Sequence, residues 1–326
     1  MLFRSDGVSA HSHVDEVTGD LLFFNYGTTA PYMHYGVVDK NNKLTHYVPI
    51  DLPGPRLPHD MSFTANHSIL LDLPLFWDPK MLANGVHRVR FYPDIPSRFG
   101  IIPRFGGTGD VKWFEAKPNY IYHTLNAYEE GDWITLDAAC VLYPEPATPA
   151  WAYAFGRIGR GLAYTDPYAM GMRPYRWRFN MKTGETREEF IDDICAEFPM
   201  GNFSRAGRKL RYGYYSLMSH GVLGMDGIVR YDFDTGARQM YRYGNGRIGS
   251  ESPFAQKTNA KSEDDGYIVS FVTDLRENAS ECVVLDARDV ARGPVCRIKL
   301  PKRIAGSSHS YWAPGHLIQS NWRAAA

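Results

Sequence analysis

The sequence has only four cysteines in 326 residues, Cys140, Cys195, Cys282 and Cys296, and no CxxC pair. That excludes a disulfide-held scaffold and leads us to expect buried free thiols in a reducing cytoplasm. No run of about 18 apolar residues occurs, so no transmembrane helix is expected. The opening residues Met1 to Asp6 contain no apolar stretch of the kind a secretory signal needs. The N-x-S triplets beginning at Asn66, Asn202 and Asn278 are accordingly taken as chance matches. An excess of charge of one sign is also missing: Lys+Arg and Asp+Glu number 36 each. A nucleic-acid binder should carry a basic surplus, so that class is excluded. The one glycine cluster, Gly106-Gly107-Thr108-Gly109, does not form a phosphate-binding loop, and no organic cofactor is expected. Neither a linker nor a low-complexity tract interrupts the chain, which reads as one domain over residues 1–326.

What is abundant points to β-structure. Aromatic residues make up 14%, with 30 glycines and 21 prolines, a mix suited to many strands and tight turns. A hairpin pattern recurs in five places. Ser12 to Tyr26 turns around Gly19, Tyr35 to Ile50 around Asn41-Asn42, and Tyr120 to Val141 around Gly131. Trp177 to Phe190 turns around Gly184, and Ile228 to Tyr243 around Gly236. In each case Gly or Asn supplies the positive φ of a tight turn, between flanks rich in Val, Ile, Tyr and Phe. Residues 187–195 read either as a short helix or as a strand end and loop. Repeated hairpins suit a β-propeller or a β-sandwich. Scattered metal-type histidines favour the propeller, whose central channel gathers one residue from each of several blades.

Four of the eleven histidines stand in distinctive contexts: His11 in AHSHVD, His59 in HDMSFTANHSILLDLP, His123 in HTLNAYEEGD and His309 in GSSHSYWAPG. Taken in order, these segments resemble the four iron-histidine motifs of the carotenoid oxygenase family. That family includes carotenoid, apocarotenoid and lignostilbene-type cleavage dioxygenases and the retinoid isomerohydrolase. Glu263-Asp264-Asp265-Gly266-Tyr267 also fits the family's EDDG strand. The resemblance runs from about Ser9 to Gly315. It implies an all-β, seven-bladed β-propeller with a loop cap over a central site, and Fe(2+) bound by His11, His59, His123 and His309. Imidazole suits ferrous iron, and four neutral nitrogens leave positions open for dioxygen. The resemblance further implies that Glu197 supports His123 and Glu251 supports His309, each carboxylate fixing its ring.

Some alternatives stay open. His13 lies two residues from His11 and would share its side of a strand, so it competes as ligand; His67 is read as structural. Leu73 to Trp77, Phe99 to Ile102, Trp113-Phe114 and Tyr311-Trp312 are candidates for an apolar substrate tunnel, with ordinary core packing as the other reading. Family members carry a considerable stretch ahead of the first histidine motif, including a glutamate expected behind His59. The chain is therefore expected to be N-terminally truncated, with a propeller incomplete at that end and a poorly oriented His59. Ser308 and Ser310 flank His309 where many members have Phe and Gly, which implies altered packing.

The implied function is oxidative cleavage of a conjugated double bond in a carotenoid, apocarotenoid or stilbenoid to two carbonyl products. The flavour of Trp113 to Asp132 leans towards the lignostilbene-type branch. The alternative is a non-catalytic binding module or an inactive fragment with an incomplete metal site. A zinc hydrolase fits less well, because four histidines leave little room for a catalytic water in a tetrahedral site. The expected partners are an apolar small molecule and O2, with peripheral membrane contact left open.

Overall fold

The computed structural model describes residues 7–144, 171–218, 224–305 and 308–315. They separate into two compact units, one comprising the chain up to Pro199 together with Phe203–Leu210, the other the remainder from Met200.

The first unit is a series of antiparallel sheets. Its first sheet is a meander of β1 (His13–Asp15), β2 (Asp20–Tyr26), β3 (Met33–Val38) and β4 (Leu44–Ile50). The second begins with β5 (Ser62–Phe63) and β6 (His67–Asp72). A separate two-stranded hairpin of β7 (Leu75–Trp77) and β8 (Val89–Phe91) follows, before β9 (Ser97–Pro103) and β10 (Lys112–Ala116) complete it in the order β10-β9-β6-β5. The third is a meander of β11 (Asn119–Glu130), β12 (Trp133–Leu142), β13 (Arg173–Asn180) and β14 (Thr186–Phe190). The chain leaves this unit along β15 (Ala196–Met200).

In the second unit β16 (Tyr212–Met218), β17 (Met225–Asp232) and β18 (Ala237–Arg242) form a further antiparallel meander. β19 (Arg247–Ile248), β20 (Phe254–Gln256), β21 (Gly266–Asp274), β22 (Ala279–Asp286) and β23 (Pro294–Lys299) form a five-stranded sheet centred on β21 and β22. The one α-helix among the described residues is the single turn Pro79–Leu82. No described helix is long and apolar enough to cross a membrane.

All five hairpins read from the sequence are present. Their turn residues Gly19, Asn42, Gly131, Gly184 and Gly236 each have positive φ, the region that costs a residue without a Cβ nothing. Residues 186–190 are strand, which settles the helix-or-strand reading there; the exposed Arg187 and Glu189 suit the edge position of β14. β21 starts only at Gly266, so Glu263 to Asp265 form the turn before it. The acidic side chains tie this turn to near and distant segments: Glu263 accepts the Arg211 and Tyr212 amides, both at 2.9 Å, Asp264 pairs with Arg230 at 2.8 Å, and Asp265 accepts from the Lys261 amide at 3.1 Å. Of the cysteines only Cys140 is buried, whereas Cys296 on the outer strand β23 is exposed.

Two apolar clusters hold the first unit. Leu22, Phe24, Tyr35 and Val37 from the first sheet meet Phe63, Leu70 and Ile102 from the second, together with Met61 just ahead of β5. Phe99 packs on Trp177 and Phe179 with ring centroids 5.2 and 5.0 Å away, and Phe114 packs on Phe179. Three of the four candidate tunnel segments thus lie largely in the core. Tyr311 and Trp312, in contrast, are exposed.

Glu129, near the end of β11, ties the third sheet to the β5–β6 turn. It accepts from Thr64 Oγ1, from the Asn66 amide at 3.1 Å and from Asn66 Nδ2 at 2.8 Å, and pairs with His67 Nδ1 at 3.0 Å. His67 therefore has a structural role. Burial pushes the Glu129 carboxyl up, but these bonds outweigh it and hold it at about 2, against an ordinary 4.5. A depressed folded-state pKa means stability that is present above the unfolded value and lost as pH falls through the folded one. Glu129→Gln should therefore be less stable than the parent at neutral pH, with the gap closing between about pH 4.5 and 2. Urea unfolding across that range measures it; a gap independent of pH would show that the charge is immaterial.

Candidate metal site

His11, His59 and His123 come from three separate segments of the first unit. His11 precedes β1, His59 lies in the loop between β4 and β5, and His123 lies within β11. Their ring centroids are 4.5 Å apart for His11–His59, 4.8 Å for His11–His123 and 5.1 Å for His59–His123. One ligand nitrogen from each lies within 4.8 Å of the others.

Local structure explains the convergence. The segment carrying His11 is pinned by Asp15, which is fully buried and accepts from Arg104 Nη1 and Arg208 Nη1, both at 2.7 Å. His59 is flanked on one side by Leu57, whose carbonyl accepts the Tyr120 hydroxyl at 2.8 Å, and on the other by buried Asp60. His123 lies within the first of two register shifts in the β11–β12 pairing, one before and one after Thr124. Each puts an extra residue on β11, and such bulges re-aim side chains that a regular strand would point elsewhere.

His11 and His13 have different fates because the strand begins only at His13. His11, ahead of the ladder, joins the histidine group. His13 turns to Asp60, with Nε2 2.7 Å from Oδ1. Burial opposes charge on both, yet their pairing prevails: His13 is raised above its ordinary 6.5 and Asp60 is held below the carboxylate range.

Behind His123 stands Glu197 of β15, fully buried, with its carboxylate oxygens 2.8 and 2.9 Å from Nδ1. A carboxylate cannot donate, so Nδ1 does, and Nε2 is the nitrogen His123 offers to a ligand. The next residue, Phe198, has φ of 52°, an uncommon conformation for a bulky residue and one that tends to mark functional segments. Its amide donates to Glu197, and its ring lies 4.9 Å from that of His123. Tyr122 stands edge-on to His59 at 5.0 Å.

The second unit holds the other sequence-predicted pair. Glu251, largely buried, lies 3.2 Å from His309 Nδ1 through Oε2, and the same oxygen accepts the Ser310 amide at 2.7 Å. Ser310 Oγ donates to the Glu251 carbonyl at 2.8 Å. The serine after the histidine thus fastens this segment to Glu251 twice, once at the carboxylate and once at the backbone carbonyl.

The donor set of the first unit suits a borderline transition metal, because neutral imidazole is a common ligand for such ions. With bonds of about 2.1 Å, two nitrogens on one ion lie about 3.0 Å apart at right angles and about 4.2 Å apart when opposed, so nitrogens within 4.8 Å of one another are close to the spacing a shared ion requires. Sequence reasoning did not find Asp60, Thr124, or the Asp15–Arg104–Arg208 cluster. Asp60 had one available signal, an acid directly following a metal-type histidine.

Similarity to known proteins extends along nearly the whole chain. The family described as retinal pigment epithelial membrane protein matches residues 1–314. The chain belongs to this, the carotenoid oxygenase family. It is 33% identical over 328 residues to carotenoid 9,10(9',10')-cleavage dioxygenase 1 of Pisum sativum, covering 95% of this chain and 59% of that protein. To isoeugenol monooxygenase of Pseudomonas nitroreducens it is 28% identical, covering 94% of the chain and 65% of the relative. The crystal structure of Pseudomonas brassicacearum lignostilbene dioxygenase superposes with a TM-score of 0.81 at 27% identity, over 95% of this chain and 66% of that one. The chain thus spans about 59% of the length of the pea relative.

Glu197→Gln keeps the shape of the side chain and removes its charge. It should weaken Co2+ binding by about 10–100-fold, the usual cost of losing such a support, with little change in Tm. A Co2+ titration followed by visible absorbance measures this, and an unchanged affinity would remove Glu197 from the metal's surroundings.

Proposed function

We propose that the chain is the metal-binding part of an iron(II)-dependent dioxygenase that splits a conjugated carbon–carbon double bond into two carbonyl products. The observation that carries this is the grouping of His11, His59 and His123, with Glu197 engaging the far nitrogen of His123. His309 is the fourth ligand in this reading. Its support is the matching arrangement of Glu251 on Nδ1, which leaves Nε2 for the ion as Glu197 does at His123. The recurring four-stranded antiparallel sheets support a seven-bladed β-propeller, read as one domain over residues 1–326. The buried Cys140 thiol fits a reducing compartment such as the cytoplasm.

Four neutral nitrogens leave the ion its full charge and leave coordination positions free. When bound, iron(II) supplies dioxygen activation. The chain's own residues do the rest. Glu197 and Glu251 hold Nδ1 of their histidines, so ring orientation and tautomer are fixed in advance. Tyr122 and Phe198 crowd His59 and His123, limit their rotation and exclude water around them. The names of the relatives, a carotenoid cleavage dioxygenase, an isoeugenol monooxygenase and a lignostilbene dioxygenase, support an apolar conjugated alkene as substrate.

The test is to load the protein anaerobically with Fe2+ and offer a stilbenoid and an apocarotenoid in turn. Oxygen uptake should match loss of the conjugated absorbance, and mass spectrometry should find two carbonyl fragments. His59→Ala should lower the rate by at least about 100-fold through loss of the ion. Alkene loss without oxygen uptake, or an undiminished His59→Ala variant, would overturn the proposal.

A further inference from the structure

Asp60 is linked to all three ligand-bearing segments of the first unit. The residue is almost wholly buried. Oδ1 accepts from the Met61 amide at 2.7 Å and pairs with His13 Nε2 at 2.7 Å. Oδ2 accepts from the Thr124 amide at 2.8 Å and from Thr124 Oγ1 at 3.0 Å. Thr124 Oγ1 is also 3.0 Å from the Met61 carbonyl. Each partner leads to a different ligand. His13 is two residues from His11, Met61 is two residues from His59, and Thr124 directly follows His123.

We propose that Asp60 is a positioning residue: one buried carboxylate that locks the segments of His11, His59 and His123 into the spacing a single ion requires. This rests on the metal-site reading and adds to it a group outside the histidine–glutamate pairs. The geometry favours such a role over plain packing. Both oxygens take two donors each, so the carboxylate is fully used, and no donor comes from a residue remote from the ligands. The Thr124 amide is available because β11 is bulged there, which frees it from a regular ladder. The same irregularity that aims His123 therefore provides the handle by which Asp60 fixes it. Asparagine cannot replace it. One of its two terminal atoms is a donor, and it would face at least one backbone N–H wherever it is turned.

The experiment measures Co2+ affinity and the visible Co2+ spectrum, with Tm of the metal-free protein recorded alongside. The variants are Asp60→Asn, His13→Gln, Thr124→Val and the remote core control Ile134→Ala; Ile134 is buried on β12. Asp60→Asn should bind Co2+ about 10–100-fold more weakly, with an altered spectrum. His13→Gln and Thr124→Val, which each remove one arm and disturb the fold less, should each weaken binding by a smaller factor. Combined with Asp60→Asn they should add less than the sum of their separate effects. Ile134→Ala should lower Tm at least as much while holding the parent affinity within about twofold.

The inference is overturned if Asp60→Asn binds within about twofold of the parent, or if Ile134→Ala weakens binding as much at equal loss of Tm. Should Asp60→Asn not fold, parent-like affinity in both His13→Gln and Thr124→Val would overturn it equally. A parent protein that binds no Co2+ would overturn the metal-site reading and this inference with it. A parent that binds while Asp60→Asn binds equally well would overturn this inference alone.

Discussion

An imidazole makes a good metal ligand only when something else holds its second nitrogen. Otherwise the ring rotates and its proton can sit on the wrong atom. The chain meets that requirement with buried carboxylates, which are costly to bury unless fully hydrogen-bonded. Glu197 is spent on His123 Nδ1 and the Phe198 amide. Glu251 is spent on His309 and Ser310. Much of the surrounding structure can be understood as what makes those burials tolerable: a left-handed Phe198 whose amide turns to Glu197, and a serine after His309 that donates to Glu251 from both backbone and side chain.

Sheets are well suited to this work because hairpins hold loop ends in fixed places. The β1–β2 turn is held by Asp15, whose partners Arg104 and Arg208 lie 89 and 193 residues away in sequence. A buried ion pair of this kind adds little net stability compared with apolar packing, but losing one member leaves an uncompensated charge. Its value here is positional, since it fixes the strand that begins two residues after His11. The bulges in β11 act likewise on His123, trading regular pairing for a re-aimed ring.

Much of the fold was legible because turn chemistry is local. A glycine or asparagine between two runs of Val, Ile and Tyr declares a hairpin without knowledge of anything distant, and all five such readings match strands. The EDDG segment misled slightly because its acidic side chains are taken up by the Lys261, Arg211 and Tyr212 amides and by Arg230, and the strand starts only at Gly266. Within the site, the order of the histidine motifs was visible, but the choice between His11 and His13 was not. Period-two alternation puts both on one side, and only the late start of β1 separates them. Asp60 and Thr124 were illegible for a related reason. Their bond depends on irregular pairing in β11, and a hydrophobic pattern does not announce a bulge. The apolar segments at Phe99 to Ile102 and Trp113-Phe114 show the converse. Composition alone could not distinguish a tunnel wall from a core, and packing on Trp177 and Phe179 assigns Phe99 to the core.

The central proposal is that His11, His59, His123 and His309 serve one ion. X-ray absorption of the protein loaded with a single equivalent of Fe2+ tests it most directly, with each histidine replaced in turn by alanine. The account predicts a first shell with four imidazole nitrogens at about 2.1 Å, a loss of one imidazole contribution in each of the four variants, and no change for His13→Ala in the number of imidazoles bound. A shell with three or fewer imidazoles, or one that loses an imidazole on replacing His13 but not His11, would contradict it.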